Sequence, residues 1–160
     1  MPGPPLISTI QQVACPSVRK GSLRKDDESM HATPLCAEIL VVEDDAAIRN
    51  SLCDLLADEG YTVAAVPHGG AALAYLQQDH SHPRLILLDL LMPVMNGYEF
   101  RRAQQQDAQL AQIPVVVLSA QNLSEREADG MELAFYLRKP LALPPLLTIV
   151  ESYCRSAEGA

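Results

Sequence analysis

Tryptophan is absent from this chain, and aromatic residues make up 4% of its 160 residues, two phenylalanines and five tyrosines. A core of stacked rings is therefore excluded. The interior has to be aliphatic, and a hydrophobic content of 48% is enough for one sizeable core. No apolar run approaches the roughly 20 residues that span a bilayer; the run at 85–88 is broken by Asp89. The N-terminus lacks a basic start followed by an apolar stretch, so no secretory signal is expected. Val13-Ala14-Cys15 faintly resembles a lipoprotein cleavage site, but Gln12 and the missing apolar core argue against one. Positive charge is scarce as well: 12 Lys and Arg stand against 20 Asp and Glu, a net −8 that argues against broad binding to nucleic acid or anionic membranes. Cys15, Cys36, Cys53 and Cys154 form no CxxC pair and have no histidine at zinc-ligand spacing, so reduced thiols in a cytoplasmic protein are expected.

Residues 1–37 carry Pro2, Pro4, Pro5, Pro16 and Pro34 and a charged cluster at 24–28, without a sustained helical or strand period. They read as a disordered tail. From Glu38 onward strand and helix patterns alternate. Ile39–Val42 is a short apolar run ending in Glu43-Asp44-Asp45; Ile48, Leu52, Leu55 and Leu56 follow at helical spacing, with Gly60 as the stop. Residues 61–66 read as a strand and 71–78 as a short helix. The run at 85–88 suits a strand covered on both faces. A turn-rich segment, 92–97, leads into a helix near 98–108. Residues 114–119 are another buried strand. Ser124 caps a fourth helix with Glu127 three residues on. Phe135–Arg138 is a fifth strand, and 144–155 a final helix with Pro145 in its first turn. Five strand–helix units imply a doubly wound parallel α/β sheet, one domain over 38–156, and a short tail at 157–160.

In such a sheet functional groups collect at the carboxyl ends of the strands. Those ends carry Glu43 and Asp44, Asp89, Ser119 and Lys139. Like charges about 4 Å apart repel by roughly 4 kcal/mol at an effective dielectric near 20, so clustered carboxylates call for a cation. Mg²⁺ suits hard oxygen ligands and bridges to phosphate. With it, Asp89 can act as a nucleophile on phosphorus while Lys139 and Ser119 meet the phosphoryl oxygens.

The strings Ile-Leu-Val-Val-Glu-Asp-Asp (39–45), Asp-Leu-Leu-Met-Pro-Val-Met-Asn-Gly (89–97), Val-Leu-Ser-Ala (117–120) and Tyr-Leu-Arg-Lys-Pro (136–140) together resemble the receiver domains of two-component response regulators. The resemblance covers about Glu38 to Arg155 and implies a flavodoxin-like fold with strand order 2-1-3-4-5. It implies Asp89 as phospho-acceptor and Lys139 as the family's lysine. It also implies Ser119 and Tyr136 as the switch pair and a cis Lys139–Pro140 bond. Mg²⁺ would be held by Asp44, Asp89 and the Leu91 backbone carbonyl, with Glu43 acting mainly through water; Asp45 is not counted as a ligand. A sensor histidine kinase or phosphotransfer protein would be the donor and a downstream protein the target. A homodimer through the fourth helix, fifth strand and fifth helix is a further option, with no direct contact to nucleic acid or membrane.

The sequence departs from the family pattern in a Ser119-to-Lys139 interval about two residues short. No glycine stands just before the fifth strand, since Gly130 lies further upstream, and Leu141 stands in place of a common Phe. These changes bear on the fourth helix rather than on the phosphorylation residues. A degenerate receiver that only binds a partner is the alternative, opposed by the complete acid, hydroxyl and lysine set. A flavodoxin-like cofactor binder would want a Gly/Ser/Thr-rich loop where Glu-Asp-Asp stands. A haloacid-dehalogenase-type phosphatase would need an acid at Leu91. His31, His68, His80 and His82 show no ligand pattern, and His80 and His82 are expected in a solvated loop.

Overall fold

A computed structural model of the chain describes residues 13–14, 37–78 and 82–154. Cys15, His31, Cys36, His80, most of the tail at 1–37 and the tail at 157–160 lie outside the described residues. The elements are β1 (Val13–Ala14), β2 (Ile39–Val42), α1 (Ala46–Asp58), β3 (Val63–Val66), α2 (Gly69–Leu76), β4 (Leu85–Asp89), α3 (Gly97–Gln105), β5 (Val115–Ser119), α4 (Glu125–Met131), β6 (Phe135–Arg138) and α5 (Leu143–Cys154). The sheet order is β1-β3-β2-β4-β5-β6. β2 to β6 are parallel and give the expected order. β1 adds an antiparallel edge strand beside β3, pairing Val13 with Ala65 and Ala14 with Ala64.

Why these runs are strands is visible in their burial. Every residue of β2, β4 and β5 is buried. Alternate residues feed opposite faces. Leu40, Val42, Ile86, Leu88, Val115 and Val117 face a layer that includes Phe100, Ala72 and Met131. Ile39, Val41, Leu85, Leu87, Val116 and Leu118 face Leu52, Leu56, Leu146 and Val150. Helices α1 and α5 therefore cover one side, and α2, α3 and α4 the other. Each fully buried aliphatic side chain contributes roughly 1.5–3 kcal/mol over its exposed state.

Helix ends follow local chemistry. Asp45 caps α1, its Oδ1 accepting from the amides of Ala47 at 2.8 Å and Ile48 at 3.1 Å. Gly60 follows the helix at φ 105°, a conformation in which a Cβ would be strained. Helix α2 starts earlier than the spacing of its leucines predicts, because His68 Nδ1 accepts from the Ala71 amide at 3.1 Å. Helix α3 ends at Gln105 rather than near 108; Asp107 Oδ1 takes the amides of Gln109 and Leu110 and starts a short 3₁₀ turn, Leu110–Gln112. Ser124 and Glu127 form the predicted capping box of α4. His82, expected in a solvated loop, is half-buried, and its Nε2 lies 3.1 Å from the Leu76 carbonyl.

Candidate phosphorylation site

Strand register brings the sequence-predicted residues level with one another. Val42 pairs with Leu88, so Glu43 stands beside Asp89. Asp89 pairs with Leu118, and Ser119 follows at the next position. The Lys139 amide donates to the Ser119 carbonyl at 2.9 Å. One oxygen from each of Glu43, Asp44 and Asp89 lies within 4.8 Å of the others. Lys139 Nζ sits 2.6 Å from Glu43 Oε2 and 3.8 Å from Asp89 Oδ2. The Lys139–Pro140 peptide bond is cis.

Glu43 and Asp89 are buried, at 2% and 6% exposure, while Asp44 is exposed. Burial raises the Glu43 carboxyl to about 7, opposed by the Lys139 hydrogen bond and reinforced by the Asp89 charge. Burial also raises Asp89, opposed chiefly by the Lys139 charge. Three carboxylates facing a lysine leave negative charge in excess. Hard oxygen donors with unmet charge fit a divalent cation such as Mg²⁺.

The loop after β4 holds Asp89 in place. The Leu91 amide lies 3.4 Å from Asp89 Oδ1, and the Leu91 side chain is 51% exposed. The Met95 amide donates to Pro93 at 2.8 Å, closing a three-residue turn around Val94, whose φ is 68°. A β-branched residue there is strained. Asn96 and Glu99 then cap α3 reciprocally. Gly97 is required by close approach rather than by φ: a Cβ would lie 2.6 Å from the Asp89 carbonyl oxygen and 2.8 Å from the Leu90 Cα. Gly97→Ala is accordingly expected to lower stability by about 1–3 kcal/mol and to shift the Asp89 main chain. Urea unfolding checks the first effect, and a slower rate of phosphoryl uptake the second.

Ser119 is fully buried, and its Oγ accepts from the Gln121 amide at 3.1 Å. The Tyr136 hydroxyl donates to the Gln121 carbonyl, so the two residues expected to act as a pair both bond the backbone of Gln121. Arg49, which sequence spacing did not single out, donates from Nη1 to the carbonyls of Glu43 at 2.8 Å and Asp44 at 3.3 Å. It steadies the acidic loop from α1. Its place one turn into a helix that follows an acidic strand end was the available signal. Beside the acids, an apolar cleft of about 800 Å³ opens between α1 and the segment after β6, lined by Ile48, Leu52, Leu55, Leu141 and Leu143 together with Lys139.

Known proteins resemble this chain in sequence and in fold. A family model described as the response regulator receiver domain matches residues 39–151. The alkaline phosphatase synthesis transcriptional regulatory protein SphR of Synechococcus elongatus is 31% identical over 149 residues, covering 83% of this chain and 57% of that protein. The chain thus spans little more than half of that relative's length. Among solved structures, the chemotaxis protein CheY4 of Vibrio cholerae is 30% identical with a TM-score of 0.66, covering 74% of this chain and 98% of that one. The receiver domain of the sensor histidine kinase PA1611 of Pseudomonas aeruginosa, solved with magnesium coordinated in its active-site cleft, is 26% identical with a TM-score of 0.65, again over 74% and 98%.

Proposed function

The chain belongs to the response regulator receiver domain family, and from that premise we propose that Asp89 accepts a phosphoryl group from a histidine kinase or a histidine phosphotransfer protein. The observation that carries this is a buried Asp89 carboxylate with the Lys139 ammonium 3.8 Å away and two further carboxylates beside it. Asp44, Asp89 and the Leu91 carbonyl would hold Mg²⁺ directly, and Glu43 mainly through water. When bound, the ion supplies a hard positive centre for the phosphoryl oxygens.

An Asp89 oxygen attacks phosphorus in line; the new O–P bond forms as the P–N bond of the phosphohistidine breaks, and the imidazole leaves with the electron pair. Lys139 is placed to neutralise a phosphoryl oxygen, and the Ser119 hydroxyl to donate to another. Turning Ser119 toward phosphate breaks its bond with the Gln121 amide. Tyr136, held on the Gln121 carbonyl, then shifts. The phosphoryl group makes these contacts in one state only, which is what moves the population. The chain catalyses only its own transfer and hydrolysis, and passes the signal to a partner protein. This work belongs in the cytoplasm; among the described residues no helix is long and apolar enough to cross a membrane.

Incubation with acetyl phosphate and Mg²⁺, followed by intact mass, tests the proposal. A gain of one phosphoryl group that a chelator prevents is the expected result; an unchanged mass overturns it. The lifetime of the product is a further expectation. Leu91 cannot polarise water and Gln121 orients it only weakly, so self-dephosphorylation should take minutes or longer. Complete loss of label within seconds, without a phosphatase, would contradict this.

A protein donor needs a surface beside Asp89 on which to seat its histidine, and the apolar cleft along α1 lies there. Ile48→Asp should slow transfer from a phosphohistidine protein by about tenfold or more, the equivalent of roughly 1.4 kcal/mol. The rate with acetyl phosphate should stay near that of the parent. Equal slowing with both donors would count against the cleft.

A further inference from the structure

Helix α4 is short, and Met131 is its one buried residue. A helix of seven residues with so little apolar contact is marginal by itself. The residue that follows it, Glu132, adopts φ 47° and ψ 52°, where helices usually place glycine. Something other than core packing has to hold it.

Helix α3 supplies that hold through polar groups. Arg101 is only 4% exposed. Its Nε donates to the Met131 carbonyl at 2.7 Å and its Nη2 to the Glu132 carbonyl at 3.0 Å. Its Nη1 donates to Gln104 Oε1 at 2.8 Å, and Gln104 Nε2 reaches the carbonyls of Leu110 at 2.8 Å and Ile113 at 3.1 Å. Gln105 adds a donor to Met131 at 3.3 Å. At the other end of α4, Tyr98 and Glu127 line the same groove between α3 and α4, and burial with the Glu127 carboxylate holds the Tyr98 hydroxyl above its usual range. Residues 98, 101 and 105 share one helical face, so all three meet the same neighbour.

The hydrogen bonds of the guanidinium go to carbonyl and amide oxygens. Burying a cation this way is costly unless nearby negative potential offsets it. The C-terminal carbonyls of α4 carry that potential, being the unpaired negative end of a helix dipole. Arg101 thus does at α4 what a glycine cap and a further turn would do in a longer helix.

We propose that Tyr98 and Arg101 clamp α4 to α3 as one body, so that phosphorylation is registered by the 120–123 segment and Tyr136 moving against a fixed α4. The second half of this statement rests on the phospho-acceptor role of Asp89; the clamp itself does not.

Amide hydrogen exchange on the whole chain tests both halves. In the unphosphorylated protein, Arg101→Met should raise exchange at residues 128–132 by about tenfold or more, with Arg101→Lys intermediate, because it keeps the charge and loses the fork. The milder Tyr98→Phe should raise exchange at 127–129 with the rest of the fold unchanged, which keeps the test decisive if Arg101→Met fails to fold. Unchanged exchange in α4 of folded Arg101→Lys and Tyr98→Phe overturns the clamp. After acetyl phosphate and Mg²⁺, exchange should change at 120–123 and stay within about twofold at 128–132. Equal changes in both segments overturn the fixed-helix half. A chain that gains no phosphoryl mass overturns the acceptor role and this second half with it, and leaves the clamp to stand or fall on the unphosphorylated variants.

Discussion

Asp89→Asn is expected to abolish phosphoryl uptake and, at neutral pH without metal, to make the protein more stable. The first effect is chemical. An amide oxygen is a poor nucleophile, and no other carboxylate has the same place at the end of β4 beside Lys139. Glu43 is already bonded to that ammonium at 2.6 Å, and Asp44 is exposed. The second effect is electrostatic. Burial leaves two partly desolvated carboxylates facing one ammonium, and the Asp89 charge pushes the Glu43 carboxyl up. Neutralising Asp89 leaves the Lys139–Glu43 pair intact and removes the repulsion, worth about 1–2 kcal/mol. Intact mass after acetyl phosphate reads the first effect and the urea midpoint the second. Uptake by the variant would move the acceptor elsewhere, and a lower midpoint would mean that the Asp89 carboxylate is structurally needed.

The second large effect concerns magnesium and pH. Glu43 is held at about 7 in the fold, against 4.5 when unconstrained. Between those values the folded metal-free chain binds more protons than the unfolded one. The contribution of Glu43 to stability is therefore fullest below about 4.5 and is lost as pH rises through about 7, on the order of 3 kcal/mol. Asp89 is shifted in the same direction. A divalent ion competes with the proton for the same oxygens and binds the ionised form. Magnesium should hence raise the melting temperature little near pH 5 and substantially near pH 8. Thermal unfolding followed by circular dichroism, with and without the ion, decides this. A magnesium effect that is constant with pH, or that shrinks as pH rises, would show that the acids do not share the ion.

How much of this was legible in the sequence depends on what kind of contact carries it. Strands β2, β4 and β5 could be read because each is an apolar run that stops at a charged or hydroxyl residue, and those stops are at the site: Val42 before Glu43, Leu88 before Asp89, Leu118 before Ser119. Capping of α4 was readable because Ser124 and Glu127 stand at fixed local spacing. The early start of α2 was missed because a histidine makes an uncommon cap and glycines at 69 and 70 suggest a loop. Arg101 was missed for a deeper reason. Arginine is nearly always exposed, and what buries this one is a pair of carbonyls about 30 residues away in sequence. The role of Arg101 exists only once two helices have been placed, and no local pattern encodes it.

The alternation of β4 carries a consequence for how this protein can change. Leu85 and Leu87 belong to one face of the sheet and Ile86 and Leu88 to the other, and the residue that meets Lys139 is the next step in the same count. Deleting or inserting a single codon within 85–88 would interchange the two interiors and carry the carboxylate away from its partners in one stroke. Chemistry and architecture are thus tied to one reading of the chain. Drift can exchange one aliphatic for another along this strand, but it cannot shift Asp89 by one place and keep both faces of the sheet apolar.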